Sequence, residues 1–446
     1  MLHRKGMAGF AACAALACAG VVNGQTADTD SALHPYYLQA TQPASEPASA
    51  PASAPATPPK PLMGLLEKTP VGTFLDNANT TVGGYIDAGF TFSDKHAPGN
   101  VITGRVFDSR NEHIVLDQLD FSVDRPVDYG KAAQNHTIDI GGHVDFILGW
   151  DSGLIHSSGI FDSPAVAGVA SGFYGGRADP ENQFDMTQAY IDFALPVGSG
   201  LRVRVGKFVT LLGYEVINPT GNPFYSHSYM FGFAIPFTQT GVIGEYKFND
   251  DWLLDAGITR GWNQSTKDNN GDPDLLAGVT YTPQESDFLK KWKFILNLSE
   301  GPQATHDNGD WWTVFDFQAV YTATDKLTLA LNIDYGDAPH AAGPAGTAQW
   351  YGVAGYGAYV LNDYFTLNGR AEWYGDNKGF TLGAAGNQNV YEFTVGVAIK
   401  PFPSDAIGQN FVIRPELRVD YSDKKFLNSG TDHQQATIGV DAYFIF

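Results

Sequence analysis

From Thr80 to Phe446 the chain repeats one pattern: a short segment with apolar residues at every second position, a link, and another such segment. A period of two gives a strand with one apolar and one polar face, since successive side chains of a strand point to opposite sides. In 326–336, Leu327, Leu329, Leu331, Ile333 and Tyr335 oppose Thr328, Asn332 and Asp334. In 364–375, Phe365, Leu367, Ala371 and Trp373 oppose Asn368, Arg370 and Glu372. In 410–422, Phe411, Ile413, Leu417, Val419 and Tyr421 oppose Arg414, Glu416, Arg418 and Asp420. The chain closes the same way, on Ile438, Val440, Ala442, Phe444 and Phe446.

Sixteen segments qualify: near 80–92, 113–123, 136–150, 184–195, 201–209, 237–248, 251–262, 274–282, 290–298, 311–322, 326–336, 348–361, 364–375, 390–400, 410–422 and 434–446. Most run about 9 to 13 residues, the length a tilted strand needs to cross a bilayer. A soluble sandwich would have nothing left to cover so many apolar faces. A closed barrel buries them in lipid, turns the polar faces to a wet lumen and pairs every backbone group, as the bilayer core demands.

Link lengths test this independently. Pro196–Gly200, Asn249–Asp250, Ala323–Asp325 and Asn362–Asp363 are tight, and 124–135, 283–289 and 401–409 are intermediate. They alternate with long links at 93–112, 151–183, 210–236, 263–273, 299–310, 337–347, 376–389 and 423–433. With both termini in the periplasm, the short links are periplasmic turns and the long ones outer loops. A hairpin hidden in a long loop would make eighteen strands, and two failed candidates fourteen. The predicted class is therefore all-β: a transmembrane antiparallel up-and-down barrel of about sixteen strands.

Aromatic placement follows the same logic, because half-polar rings favour the headgroup zone. Phe92, Trp150, Trp262, Tyr335, Trp373 and Tyr421 end upward strands and are expected in an outer girdle. Phe446, Phe444, Phe121, Phe193 and Tyr321 are expected in an inner one. A strand ending in a terminal Phe also resembles the signal read by the barrel-assembly machinery.

Residues 1–24 read as a secretory signal: Arg4 and Lys5, an apolar run from Met7 to Val22, then small residues. Cleavage after Gly24 or after Ala19 fits. Cys13 and Cys18 are the only cysteines and lie within it, so no disulfide holds the mature protein. Cys18 has Ala15 where a lipoprotein signal wants Leu. Residues 25–79 form a leader: Pro43–Pro61 is a Pro/Ala/Ser spacer with the reach to approach the cell wall, and Leu62–Asn77 has room for a short helix.

Charged residues are only 17% of the chain, against about 25% in soluble domains. Without the signal, 25 Lys and Arg face 48 Asp and Glu, a net charge of −23. That balance opposes nucleic-acid binding.

Enzymatic motifs are missing: no His-Glu-x-x-His, Gly-x-Ser-x-Gly or phosphate-binding Lys loop occurs. His156, Ser157 and Asp162 sit together in a Gly/Ser-rich loop and read as loop chemistry rather than a hydrolase. Asp268–Asp274 alternates oxygen ligands as calcium loops do. Pro273 and Val279 stand where an EF-hand needs Gly and Glu, so the match fails. No catalytic residue, metal or cofactor is assigned.

Gly206-Lys207-Phe208, Leu212-Gly213-Tyr214-Glu215, Asn218-Pro219, Asn222, Tyr225-Ser226, Ser228-Tyr229, Pro236-Phe237 and Thr240-Gly241-Val242 together resemble the OmpL-like β-barrel porin family. Ile258-Thr259-Arg260-Gly261-Trp262-Asn263 resembles its next marker, with Arg260 where Asn is expected. The resemblance implies an outer-membrane diffusion channel of the Gram-negative type for small polar solutes, with lipid as its surroundings and a homo-trimer as a candidate assembly.

The third long loop, 210–236, is the expected constriction. It is rich in Tyr and Phe and carries Glu215 but no Lys or Arg. Tyr225 and Tyr229 suit stacking on sugar rings, which makes a carbohydrate-preferring channel the close variant; packing of the loop against the wall explains them as well. Arg202, Arg204, Arg370, Arg414 and Arg418 fall on polar strand faces with Glu372, and Glu215 is expected to face them across the pore. Pairing with wall carboxylates is the alternative role for these arginines. A non-conducting barrel, tethered through residues 43–61 and binding a partner through its outer loops, is the alternative function.

Overall fold

The computed structural model describes residues 61–161, 183–305, 307–343 and 346–446. The signal segment, the Pro/Ala/Ser tract through Lys60 and Asp162 lie outside them. Two short helices lead into the barrel, α1 (Pro61–Leu66) and α2 (Pro70–Asn77). The second starts with Pro in its first turn behind Thr69, whose hydroxyl accepts the Gly72 N–H, a standard N-terminal arrangement.

Sixteen antiparallel strands then close on themselves. They are β1 (Thr81–Gly83 and Tyr85–Ser93, broken at Gly84), β2 (Ile114–Arg125), β3 (Asp139–Gly149), β4 (Gln183–Leu195), β5 (Leu201–Val209), β6 (Thr238–Lys247), β7 (Trp252–Thr259) and β8 (Asp274–Tyr281). The second half comprises β9 (Trp292–Pro302), β10 (Trp311–Thr324), β11 (Leu327–Ala338), β12 (Ala348–Asn362), β13 (Phe365–Asp376), β14 (Gln388–Ile399), β15 (Phe411–Ser422) and β16 (Gln434–Ile445). Each pairs with its sequence neighbours, and β16 closes the ring on β1, from Thr437 opposite Ser93 to Ile445 opposite Tyr85. Gly84 and Phe446 exchange both backbone hydrogen bonds, at 3.1 and 2.8 Å. The final residue is thus part of the closing seam.

All sixteen expected strands are present and the parity of the links holds. The turn after β2 also contains a helix, α3 (Tyr129–Asn135), capped by the Asp128 side chain on the Lys131 N–H. The β14–β15 ladder is interrupted between Gly396–Glu416 and Ile399–Ile413. Pro415 lies there and has no N–H to give.

The outer face is apolar and uncovered: Ile191, Phe393, Leu417, Val419 and Ile438 are each 50% exposed or more. In water such a belt would far exceed the few hundred Å² of apolar patch that monomers tolerate. In lipid it is the favourable face.

The inner face holds the polar residues and, with them, an apolar core. Val106, Phe107, Leu212, Tyr229, Met230, Phe231, Trp350 and Tyr374 belong to one buried cluster. Much of it is supplied by outer loops folded into the lumen.

Candidate functional site

The chain between β5 and β6 enters the lumen and crosses it. Three local devices shape it. Asn222 staples the segment by accepting the Val216 N–H at 2.9 Å and donating to Val216 O at 2.6 Å. Asn218 caps a 3-10 turn over Pro219–Gly221. Ser228 then caps helix α5 (Tyr229–Phe233), its hydroxyl accepting the Phe231 N–H at 3.1 Å. α5 follows α4 (Trp150–Leu154), which lies just after β3.

The wall holds this segment by its backbone. Glu372 accepts the Tyr229 and Met230 N–H groups, both at 2.7 Å. These are first-turn donors that no intrahelical partner satisfies. Glu416 accepts the Tyr225 and Ser226 N–H groups at 2.9 and 3.2 Å. In the opposite sense, Arg414 donates to Pro219 O and Asn222 O, Arg418 to His227 O, and Arg370 to Ser226 O. Bonds with one ionised partner are roughly twice as strong as neutral ones, so these contacts fix the segment in one position.

Glu215 is drawn into the same network. Its carboxylate meets Arg370 at 2.8 Å and accepts the Ser228 N–H at 2.8 Å and the Tyr356 hydroxyl at 3.2 Å. Burial alone would raise the Glu215 carboxyl. Arg370, His227 and the Ser228 N–H outweigh it and hold the group below the usual carboxylate range. Burial pushes the neighbouring His227 imidazole below its ordinary value. That ring stacks on Phe231 at 4.3 Å and meets Phe107 edge-on at 4.7 Å.

Two glycines make the close approach possible. A Cβ at Gly89 would lie 2.2 Å from the Tyr225 ring, and one at Gly352 would lie 2.5 Å from Met230 Cγ. Tyr225 donates its hydroxyl to Asp117 at 3.2 Å, and Tyr229 to Asp420 at 3.0 Å. Across the lumen, Asn297 donates to Leu211 O at 2.7 Å, and Asn332 accepts the Tyr214 N–H at 3.1 Å. The segment therefore touches walls on every side.

Arg370, Glu372, Arg414, Glu416 and Arg418 are each 5% exposed or less. A water-wide passage along them would leave them accessible. At this level the lumen is packed, where the alternation alone implied a wet interior. Below it, on the periplasmic side, a small cavity of about 50 Å³ lies between Asn222, Pro223, Thr366, Lys400 and Arg414.

Of the residues singled out from sequence, Glu215, Tyr225, Tyr229, Arg370, Glu372, Arg414 and Arg418 thus meet around one segment. Arg370 and Arg418 also contact Glu392, at 2.6 and 3.7 Å, and Arg414 pairs with Asp441. Arg202 and Arg204 form a separate group nearer the periplasm. There Arg202 pairs with Glu245, while Arg204 pairs with Asp192 at 2.9 Å and lies 3.6 Å over the Tyr190 ring.

Among the girdle candidates, Phe92, Tyr335 and Tyr421 are exposed outward, at 44, 40 and 44%. Trp373, Phe446 and Trp150 are half-buried, the last beneath Arg110 at the start of α4. Trp262 lies inside the barrel, donating to Ser299 and meeting Trp312 and Trp350 edge-on. β7 ends at Thr259, and Gly261 at φ +100° turns the chain inward before the alternation reaches Trp262.

Several participants carried no sequence signal as site residues. Arg105, from the first outer loop, reaches Asp420 at 2.9 Å and Thr437 at 2.8 Å. Asp117 and Gln118 both face inward because a bulge lies between Asp87–Gln118 and Ala88–Leu116. His156 contacts Asp185 at 3.0 Å, and Ser157 contacts Thr238 at 2.6 Å. The Asp268 carboxylate accepts the Asn270 and Gly271 N–H groups in a turn.

Residues 79–446 match the family described as Putative beta-barrel porin-2, OmpL-like. No curated protein matches the chain. Among solved structures, the outer membrane channel DcaP of Acinetobacter baumannii is 12% identical, with a TM-score of 0.54 over 82% of this chain and 97% of that one. An anion-selective porin from Comamonas acidovorans is 11% identical at 0.54 over 82% and 99%. OprB of Pseudomonas putida is 10% identical at 0.50 over 85% and 97%. These similarities carry the fold. A closed sixteen-strand barrel with an apolar belt, matched to this family over its whole length, identifies the chain as a member of the OmpL-like β-barrel porins and an integral outer-membrane protein.

Proposed function

We propose that the protein is a diffusion channel of the Gram-negative outer membrane for small hydrophilic solutes, in which segment 210–236 governs passage. The observation that carries this is the attachment of the segment: its backbone, rather than its side chains alone, is bound by wall carboxylates and arginines. Such contacts can be exchanged for water, so displacement of the segment opens the lumen. Porin membership makes a channel, rather than an enzyme, the function to test.

A preference for carbohydrates is the finer form of the proposal. Tyr225 and Tyr229 are 5 and 0% exposed while the segment is seated, so they meet a sugar ring only when it moves. The Comamonas acidovorans neighbour is anion-selective by its description, and at 11% identity that property does not transfer. The N-terminal signal, a leader approaching the cell wall through residues 43–61, recognition of the terminal strand by the assembly machinery and a homo-trimer complete the proposal. Native mass in detergent tests the last.

The burial of the inner wall favours a second reading, a structural barrel that does not conduct. Planar-bilayer recording separates the two. Discrete openings of ion-channel size support the channel, and silence from correctly folded full-length protein supports the structural barrel.

A further inference from the structure

The interior of the barrel is far from electrically balanced. Among the described residues, eighteen Asp and Glu side chains are buried against seven Lys and Arg. Each of the seven cations is already ion-paired with a carboxylate. The positive side is therefore taken up in anchoring loops and holding the wall, and the excess is of acidic groups.

Part of that excess sits in two groups that face each other. On one side are Asp87 of β1, Asp117 at the β2 bulge and Asp151 of α4. Gln118 donates to Asp151 at 2.9 Å and the Tyr225 hydroxyl to Asp117, while Asp87 Oδ1, Asp117 Oδ2 and Asp151 Oδ1 have no hydrogen-bond partner. On the other side are Asp316 of β10 and Asp334 of β11. Asp316 accepts from Asn297, Gln318 and Asn332, all neutral amides that leave its charge uncancelled, and Asp334 Oδ2 has no partner. No Lys or Arg among the described residues pairs with any of these five. β2 and β10 are eight strands apart in a ring of sixteen, so the groups lie on opposite walls. Segment 210–236 runs between them, touching Asp117 through Tyr225 and Asn332 through Tyr214.

We propose that passage through this barrel favours small cations over anions. The inference rests on the channel reading above and adds to it the class of solute. When segment 210–236 moves and water reaches the two groups, their carboxyls are free to ionise, and a cation entering between them offsets charge that no Lys or Arg pairs with directly. An anion meets the same field with opposite sign, and acidic pore linings select cations on this basis. The five wall arginines do not reverse this, because Arg202, Arg204, Arg370, Arg414 and Arg418 each face their own carboxylate.

The test is the reversal potential of full-length protein in planar bilayers under a tenfold KCl gradient. The expected potassium-to-chloride permeability ratio is well above one, since acidic linings favour cations. The variants Asp87→Asn/Asp117→Asn/Asp151→Asn and Asp316→Asn/Asp334→Asn should each move the ratio towards one. A wild-type ratio at or below one overturns the inference while leaving the channel intact, and needs no variant to fold. A cation preference unchanged in both variants, each shown to be folded, overturns the assignment to these carboxylates. Absence of any conductance removes the channel reading, and the inference with it.

Discussion

Arg370 on β13 and Glu215 on the inward segment meet at 2.8 Å, with both side chains at most 1% exposed. The contact joins the wall to a segment 155 residues earlier in the chain. Removing one member of a buried pair strands the other charge, at a cost of about 3–5 kcal/mol, whereas removing both is far less damaging.

Glu215→Gln and Arg370→Met should therefore each loosen segment 210–236, Arg370→Met more because it also strands Glu392, and the double variant should be no more disturbed than Arg370→Met alone. The rate of chymotrypsin cleavage at the segment's Tyr and Phe residues in folded protein reads this directly. Additive effects in the double variant would show that the pair is not coupled.

Glu372→Gln and Glu416→Gln keep the shape of the wall but weaken its hold on four backbone N–H groups. Each hydrogen bond to a charged group contributes about 1.5–3 kcal/mol. The expected outcome is a higher open probability in single-channel records, with barrel closure unaltered by heat-modifiable gel mobility. Records matching wild type in both variants would remove the wall carboxylates from the account.

Gly352→Leu places a side chain where Met230 now lies. Overpacking of this kind costs about 1–3 kcal/mol and here falls on α5 rather than on the strand ladder. Cleavage of the segment should accelerate while the barrel stays closed. Loss of the folded barrel would show instead that the wall cannot absorb the change.

Acid should loosen the segment. Glu215 has a folded value below the ordinary carboxylate range, so its contribution is present above that range and lost as pH falls through the folded value. His227 has a folded value below its ordinary imidazole value, so seating favours the neutral ring and weakens as pH falls below that ordinary value. Both act in the same direction. Chymotrypsin cleavage is confounded by the protease's own pH range, so open probability between pH 7 and pH 4 is the suitable readout, with a rise expected and a fall contrary to it.

Much of the barrel was legible because lipid imposes a strict rule on every strand. Period two, link parity and the terminal Phe446 are all local to the chain, and they located sixteen strands and the β16–β1 seam. The content of the lumen was less legible. Alternation says that Arg414 and Glu416 point inward but not what meets them. Whether Glu416 faces water or the Tyr225 N–H depends on a loop almost two hundred residues away. Asp117 was hidden by a bulge, which breaks the two-residue period where it matters. Trp262 lies three residues past the strand end at Thr259, beyond the turn at Gly261, where the two-residue alternation no longer tells which side a residue faces. The aromatic richness of 210–236 was visible, and its two explanations, sugar contact or packing, differ only in what covers the rings.

The seam makes its own prediction. Deleting Phe444–Phe446 removes the Gly84–Phe446 hydrogen-bond pair and the ladder positions of Phe444 and Ile445. Folded yield in the outer membrane should fall far more than after removing three residues from the 423–433 loop. Equal yields would contradict a seam that needs its last residue.

The most direct test of the central claim is a reversible lock on the segment. Met230→Cys with Gly352→Cys places two thiols where Met230 already touches the Gly352 backbone position, in a chain whose other cysteines, Cys13 and Cys18, both lie in the N-terminal segment expected to be a signal. With the disulfide formed, single-channel conductance should fall to the bilayer baseline, and reduction should restore openings. Undiminished conductance in the oxidised, fully cross-linked protein would show that solutes pass without moving segment 210–236, and the account would fail.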